Sequence, residues 1–536
     1  MTHKLDLLIT NGRILDGTGN PGYEADIGIV GAEIVLMGRE ISKSHAARVI
    51  DAGGMVVSPG FIDTHSHDDA YLLINPQCED KVRQGVTTDV IGNCGFSLAP
   101  LSDQHRDDLR KASAIMGGSH LPDDFWELSS FEEFLTLLDD TRPGINVVPL
   151  VGHGTVRIAV LGFENRAPTD SELDEMKRLT ADAMQAGAFG LSTGLIYVPA
   201  NFADTDEIIE LAKVAGQFKG IYTTHMRSEG DGEMEAIKET LRIASEAGIP
   251  AHISHHKITG KSNWGKSLDT LKLFAEARAN GLHVTCDQYP YLAGSTFLAA
   301  ALPPHIQAQG PGLFAEKLQQ PEIRQAIVAE IVGGSDAPWE NLIKGAGFEN
   351  IFISVSPHHE EYIGKSIARI AEMETKDPYD VFFDLLIEEQ MEVAMVIFMM
   401  DEADVIRIMK DPLTMIGTDG VPGFGCSKVH PRMVGTFPRI LGRYVRNQGV
   451  ISLEEAIRKM TSLPAQTFGL YKKGILREKH DADVVIFDPE TVIDHSTFDD
   501  PSQPPTGIHW VIVNGELAVE NGRVLGATSG QVLRRG

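Results

Sequence analysis

Two histidines one residue apart, His65 and His67, end the segment Ser58-Pro-Gly-Phe-Ile-Asp-Thr-His-Ser-His-Asp-Asp69. Alternate residues of a strand share a face, so both imidazoles can aim at one metal ion. A lone His-x-His pair is more often a pair of ordinary surface or core histidines. Further donors recur at comparable places. Cys94 follows Val90-Ile-Gly-Asn, His225 follows Tyr222-Thr-Thr, His255 follows Ala251-His-Ile-Ser, and Asp419 follows Met415-Ile-Gly-Thr. Each has a bland reading: a small buried thiol, a core histidine, a loop acid beside a glycine. All of them being bland at the ends of apolar runs in one chain is the less economical reading. One sulfur, four imidazoles and one carboxylate form a donor set that suits zinc, whose catalytic sites keep one position open for water.

Elements must place these residues together. Apolar runs at Thr88-Asp-Val-Ile-Gly, Asn146-Val-Val-Pro-Leu-Val-Gly, Phe189-Gly-Leu-Ser-Thr, Ile221-Tyr-Thr-Thr, Ala251-His-Ile-Ser, His283-Val-Thr-Cys-Asp and Met415-Ile-Gly-Thr alternate with amphipathic stretches such as Ser171-Glu-Leu-Asp-Glu-Met-Lys-Arg-Leu. With the His65 strand these make eight βα units, which predicts an α/β fold, a TIM-type (β/α)8 barrel over residues 58–473 with the donors on its carboxy-terminal face. Val393-Ala-Met-Val-Ile-Phe-Met-Met competes for a place among the later strands. Pro303-Pro304, Gly310-Pro-Gly and Gly333-Gly334 break the rhythm, so residues 292–350 are expected to be an insertion near the mouth of the site. Residues 1–57 and 474–536 each hold short strands with Asn-Gly turns and too little chain to bury a sheet alone. They are expected to pair as one small β-sandwich domain.

Composition narrows the function. The 536 residues carry 42% hydrophobic side chains and a formal net charge of -28, with a mean hydropathy of -0.08. Such a charge repels nucleic acid and anionic membrane, leaving a small molecule as the expected partner and the oligomeric state open. No apolar run is long enough to span a bilayer, and the amino terminus lacks the flanks of a signal peptide. Four scattered cysteines read as reduced thiols, and hence as a cytoplasmic protein; Cys426 reads as structural.

Taken together, His65-x-His67, Gly92-Asn-Cys94-Gly, Gly152-His-Gly, Phe189-Gly-Leu-Ser-Thr-Gly-Leu-x-Tyr197, Thr224-His-Met-Arg227, Ile253-Ser-His-His-Lys257, Asp287-x-Tyr-Pro-Tyr291, Gly417-Thr-Asp-Gly420 and His430-Pro-Arg432 resemble the N-acyl-D-amino acid deacylases of the amidohydrolase superfamily. The likeness spans nearly the whole chain. It implies a zinc held tightly by Cys94, His225 and His255, with His65, His67 and Asp419 facing a second, weaker position. It also implies hydrolysis of N-acyl-D-amino acids to a carboxylic acid and a free D-amino acid, with Tyr197 among the substrate contacts. Zinc lowers the pKa of its water towards about 7, and Asp419 is the expected general base, then acid. Arg432, with Lys257, Tyr289 and Ser295, is expected to hold the substrate's α-carboxylate, because a guanidinium fork matches a carboxylate. A cyclic-amide hydrolase of the hydantoinase or dihydropyrimidinase kind is the alternative; it usually relies on a bridging lysine, and residues 189–198 contain none. A non-catalytic scaffold would have lost the donors that this chain retains.

Overall fold

The computed structural model describes residues 4–308, 310–334, 339–389, 392–424 and 427–536. Cys426 lies outside them. Eight parallel strands form the barrel: Phe61–Asp63, Val86–Ile91, Asn146–Pro149, Gly190–Gly194, Ile221–His225, Ala251–Ile253, Val284–Gln288 and Thr414–Ile416. The third is prolonged past Leu150 by Val151–Gly152, which pairs with the fourth. Neighbours pair in sequence order, so that Gly194 stands beside His225 and Ile253 beside Cys286. The ring closes where the eighth strand meets the first, through the parallel bridge between Ser66 and Gly420 and the Asp419 N–H donated to the His65 carbonyl at 2.8 Å. Almost every residue of these strands is buried. Both faces of the sheet are covered, which is why the strands read in the sequence as apolar runs rather than as alternation.

The outer helices follow local rules. Asp170–Ala186 starts from a capping box in which Thr169 and Glu172 satisfy each other's backbone N–H groups. Thr205–Gln217 is capped by Asp204 and turns Ile208, Ile209, Leu211 and Ala212 inward. The competing run after residue 392 is not a barrel strand. Ala394–Phe398 is the middle member of an antiparallel sheet, between Ala293–Phe297 and Ile351–Val355. The excursion between the seventh and eighth strands thus continues well past residue 350, and its apolar surface forms a separate core around Phe314, Phe382 and Met395.

Strands from both chain ends share one nine-stranded sheet. Val56–Pro59 pairs with Leu5–Ile14 on one side and antiparallel with Val484–Phe487 on the other. Ile27, Ile29, Val57, Ile486 and Ile512 are fully buried in its core. The carboxy-terminal tail then returns to the barrel, where Val532 bridges Val147 of the third strand. Deleting residues 476–536 should therefore leave the Val56–Pro59 edge unpaired and the protein insoluble. A soluble truncation with an intact melting transition would show that the amino-terminal strands need no partner.

Candidate active site

The barrel brings all six donors to one end. Cys94 Sγ lies 3.3 Å from His65 Nε2, 3.8 Å from His225 Nδ1 and 3.4 Å from His255 Nε2. Asp419 Oδ1 lies 3.5 Å from His65 Nε2 and 3.4 Å from His67 Nε2. Among the described residues, the compact three-donor groups are His65, Cys94 and His255; His65, His67 and Asp419; and His225, Glu229 and His255. The expected trio of Cys94, His225 and His255 meets pairwise through the sulfur, and His65 stands between the two anticipated positions.

Three of these residues leave their strands in left-handed backbone: Cys94 at φ 52°, His255 at φ 38° and Asp419 at φ 48°. That conformation is uncommon outside glycine, and it persists only where surrounding bonds enforce it. At Cys94 the flanking Gly92 and Gly95 are also left-handed. A Cβ on Gly92 would lie 2.1 Å from the Leu150 carbonyl oxygen, so only glycine permits this approach of the turn to the third strand. The Gly-x-Cys-Gly sequence is the local signature of a turn that lifts the thiol into the ring's centre.

Buried carboxylates orient the imidazoles. Glu229 Oε1 lies 2.9 Å from His255 Nδ1 and accepts from Lys257 Nζ at 2.6 Å. Lys257 Nζ also stands 2.7 Å from His255 Nδ1. Lys257 and Glu229 thus hold the Nδ1 edge of His255, which leaves Nε2 facing the sulfur. Asp287 accepts the backbone N–H of His255 and lies 2.8 Å from His252 Nε2. Burial pushes the Glu229 carboxyl up, but the Lys257 ammonium outweighs it and holds it well below the usual range. Burial likewise opposes ionisation of Asp287, yet His252, 2.8 Å away, brings it down to about 2. Glu229 carries no periodic signal in the sequence; only its place four residues after His225 hints at it. Asp287 lay in view within the Asp-x-Tyr-Pro-Tyr motif.

A zinc ion fits these residues. Burial holds His225 down to about 3 and His65 well below its ordinary value, so both imidazoles are neutral, the form that ligates. His65 and His255 present Nε2, and His225 presents Nδ1, to the Cys94 sulfur; among the described residues the opposite nitrogens, His65 Nδ1 and His225 Nε2, have no hydrogen-bond partner. Burial and then the charge of Asp419 raise the Cys94 thiol well above its usual range; a cation in the cluster reverses that balance.

A cleft opens on the cluster, and Tyr197, Lys257, Tyr289, Ser295 and Asp419 line it. Arg432 stands just behind, almost fully buried. Its Nη1 lies 2.8 Å from Asp419 Oδ2, its Nη2 donates to the Ser295 carbonyl at 3.2 Å, and its guanidinium stacks over Tyr289 at 4.5 Å. Tyr197 packs against His225 with ring centres 5.0 Å apart and accepts a bond from Thr296 Oγ1 at 3.1 Å. Both cations expected to meet a substrate carboxylate are thus already paired, Arg432 with Asp419 and Lys257 with Glu229. Burial pushes Asp419 up, but Arg432 and then His255 hold it well below the usual range.

Glu340, from the excursion, ties that segment to the site. Its oxygens accept the Glu229 N–H at 2.6 Å and the Thr259 hydroxyl at 3.0 Å. Burial, then the charge of Glu229, raises its carboxyl above the ordinary carboxylate range, to about 7. A raised folded-state value stabilises fully below the unfolded value and is lost as pH rises through the folded one. Relative to wild type, Glu340→Gln should lose less melting temperature between pH 5 and 8. Parallel melting curves over that range would contradict this titration.

The residues 48–519 match the amidohydrolase family. The D-aminoacylase of Alcaligenes xylosoxydans xylosoxydans is 39% identical over 531 residues, covering 99% of this chain and 98% of that protein. The N-acyl-D-aspartate deacylase of the same organism is 38% identical over 532 residues, covering 99% and 95%. Among solved structures, N-acyl-D-glutamate deacylase from Bordetella bronchiseptica, complexed with zinc and a phosphonate mimic of the tetrahedral intermediate, is 35% identical with a TM-score of 0.83 over 99% of this chain and 100% of that one. With this agreement along its whole length, the chain belongs to the amidohydrolase family.

Proposed function

We propose that this protein hydrolyses the amide bond of N-acyl-D-amino acids, releasing a carboxylic acid and a free D-amino acid. The observation that carries the reading is the buried cluster of Cys94, imidazoles and Asp419 facing a cleft with Lys257 at its wall and Arg432 just behind it, paired with Asp419. The full-length relatives that act on N-acyl-D-amino acids support it. Cys94, His225 and His255 would hold the tighter zinc, and His65, His67 and Asp419 would face a second position. When bound, zinc supplies a Lewis acid for the amide carbonyl and lowers the pKa of water to about 7.

The remaining steps fall to the chain's own residues. Asp419 takes the proton of the attacking water and returns it to the departing amine nitrogen. Its Oδ2 is committed to Arg432, which leaves Oδ1, on the side of His65 and His67, for the proton. A substrate carboxylate docking on Arg432 shares that guanidinium, weakens its hold on Asp419 and raises the carboxylate's proton affinity. Binding therefore readies the base. Tyr289 holds the plane of Arg432, and Tyr197, Lys257 and Ser295 complete the wall that places the α-carbon. With carboxylate and carbonyl both fixed, the side chain and hydrogen have two places, and the walls admit one enantiomer.

The cyclic-amide alternative is less well supported, since the fourth strand, Gly190–Gly194, carries no lysine. The free thiols Cys78, Cys94 and Cys286 support a cytoplasmic location, and among the described residues no helix is long and apolar enough to cross a membrane.

The test is turnover by zinc-loaded protein. N-acetyl-D-amino acids should be cleaved at least about a hundredfold faster than their L-enantiomers. Equal rates for both, or preferred opening of hydantoins, would overturn the reading. Asp419→Asn should lower kcat at least about a hundredfold. Arg432→Lys should raise KM for carboxylate-bearing substrates while sparing their amidated analogues; an unchanged ratio between the two would remove Arg432 as the anchor.

A further inference from the structure

The seam where the eighth strand meets the first carries His65, His67 and Asp419, and beside it one ammonium is buried among carboxylates. Lys81, on the one-turn helix Glu79–Val82, has no exposed surface, and neither do Asp63, Asp68, Asp89 or Thr418. Lys81 Nζ lies 2.5 Å from Asp63 Oδ2, 3.1 Å from Asp68 Oδ2 and 3.6 Å from Asp89 Oδ1, and it donates to Thr418 Oγ1 at 3.1 Å. Burying these charges costs more solvation than their attraction commonly returns, and apolar residues would hold a barrel at least as well. Stability alone therefore gives no reason for the cluster.

Its bonds give one. Asp63 Oδ1 accepts the backbone N–H groups of Thr418 at 2.8 Å and His65 at 3.3 Å. Asp63 Oδ2 accepts the Thr418 hydroxyl at 2.6 Å as well as Lys81. Thr418 Oγ1 in turn receives the Gly420 N–H at 3.1 Å, and Asp89 Oδ2 accepts the Ser66 hydroxyl at 2.9 Å. Every bond outward from Lys81 ends on backbone or side chain next to His65, His67 or Asp419. The turn itself is tight: a Cβ on Gly417 would lie 2.9 Å from His65 Cβ, and Asp419 sits at φ 48°. Such a turn keeps its shape only if neighbours hold it.

We propose that Lys81 is a positioning residue for hydrolysis: by clamping Asp63 against Thr418 it fixes the turn that presents Asp419 and the strand end that presents His65. It contacts neither the cleft nor the donor atoms, and acts through two paths, Lys81 to Thr418 to Asp419 and Lys81 to Asp63 to His65. The inference rests on the assignment of proton transfer to Asp419. Displacing a reacting group by about 1 Å can cost about a hundredfold in rate, which sets the scale of the expected effect.

Three variants test it. Lys81→Met with Asp63→Asn removes both charges at similar volume, Thr418→Val removes the hydroxyl, and Thr418→Ser keeps it. In zinc-loaded protein the first two should lose at least about thirtyfold in kcat, with KM within about threefold of wild type, while Thr418→Ser stays near wild type. Amide hydrogen exchange over 417–420 should quicken in the first two and not in the third. A merely structural role would reduce the amount of folded enzyme and leave kcat per bound zinc unchanged. Wild-type kcat and exchange in folded Thr418→Val overturn the proposal, and this variant decides if the charge-free pair does not fold. Quickened exchange without turnover even in wild type would support the clamp and overturn the substrate reading instead.

Discussion

A thiol and three imidazoles packed at 3.3–3.8 Å, nearly closed to water, is a costly arrangement for a protein core. Polar atoms taken out of water without partners lose solvation that packing does not restore. The barrel tolerates the cluster because its strands are fixed on both sides by neighbours, so their ends form a rigid ring. The outer parts follow from the same constraint. Glu229 and Asp287 orient the imidazoles, the Lys81 cluster braces the closing seam, and Glu340 fastens the excursion to the Glu229 loop.

Electrostatics at the cleft run against the sign of the whole protein. A chain of net charge -28 presents Arg432 and Lys257 at its site, yet each is neutralised by a buried carboxylate, Asp419 or Glu229. An anionic substrate must therefore share a cation already in use. That is a physical route to selectivity, because the shared guanidinium belongs to the same residue pair that contains the proposed base. A neutral analogue would leave Asp419 fully paired and its proton affinity low.

Much of this was legible in the sequence because the signals are local. Each barrel strand is a short apolar run, and Cys94, His225, His255 and Asp419 come directly at its end, so reading donors after strands sufficed to gather them. The antiparallel sheet of Ala293–Phe297, Ile351–Val355 and Ala394–Phe398 was not legible, since an apolar run in an insertion looks like one in a barrel and only pairing tells them apart. Lys81 and Glu340 act across 337 and 111 residues of chain, respectively, and no spacing rule reaches that far. Left-handed backbone at Cys94, His255 and Asp419 was equally hidden, because contacts with other strands impose it. The Arg432 to Asp419 pair is hidden for a different reason: each residue has a duty of its own in the sequence, and only the fold brings the two side chains together.

A zinc-edge X-ray absorption spectrum of the protein, purified with its tightly held metal, tests the sulfur-centred cluster most directly. The expected spectrum shows one sulfur at about 2.3 Å together with imidazole nitrogens at about 2.0–2.1 Å. A first shell of nitrogen and oxygen alone, with Cys94 still open to alkylation in the zinc-loaded protein, would contradict it.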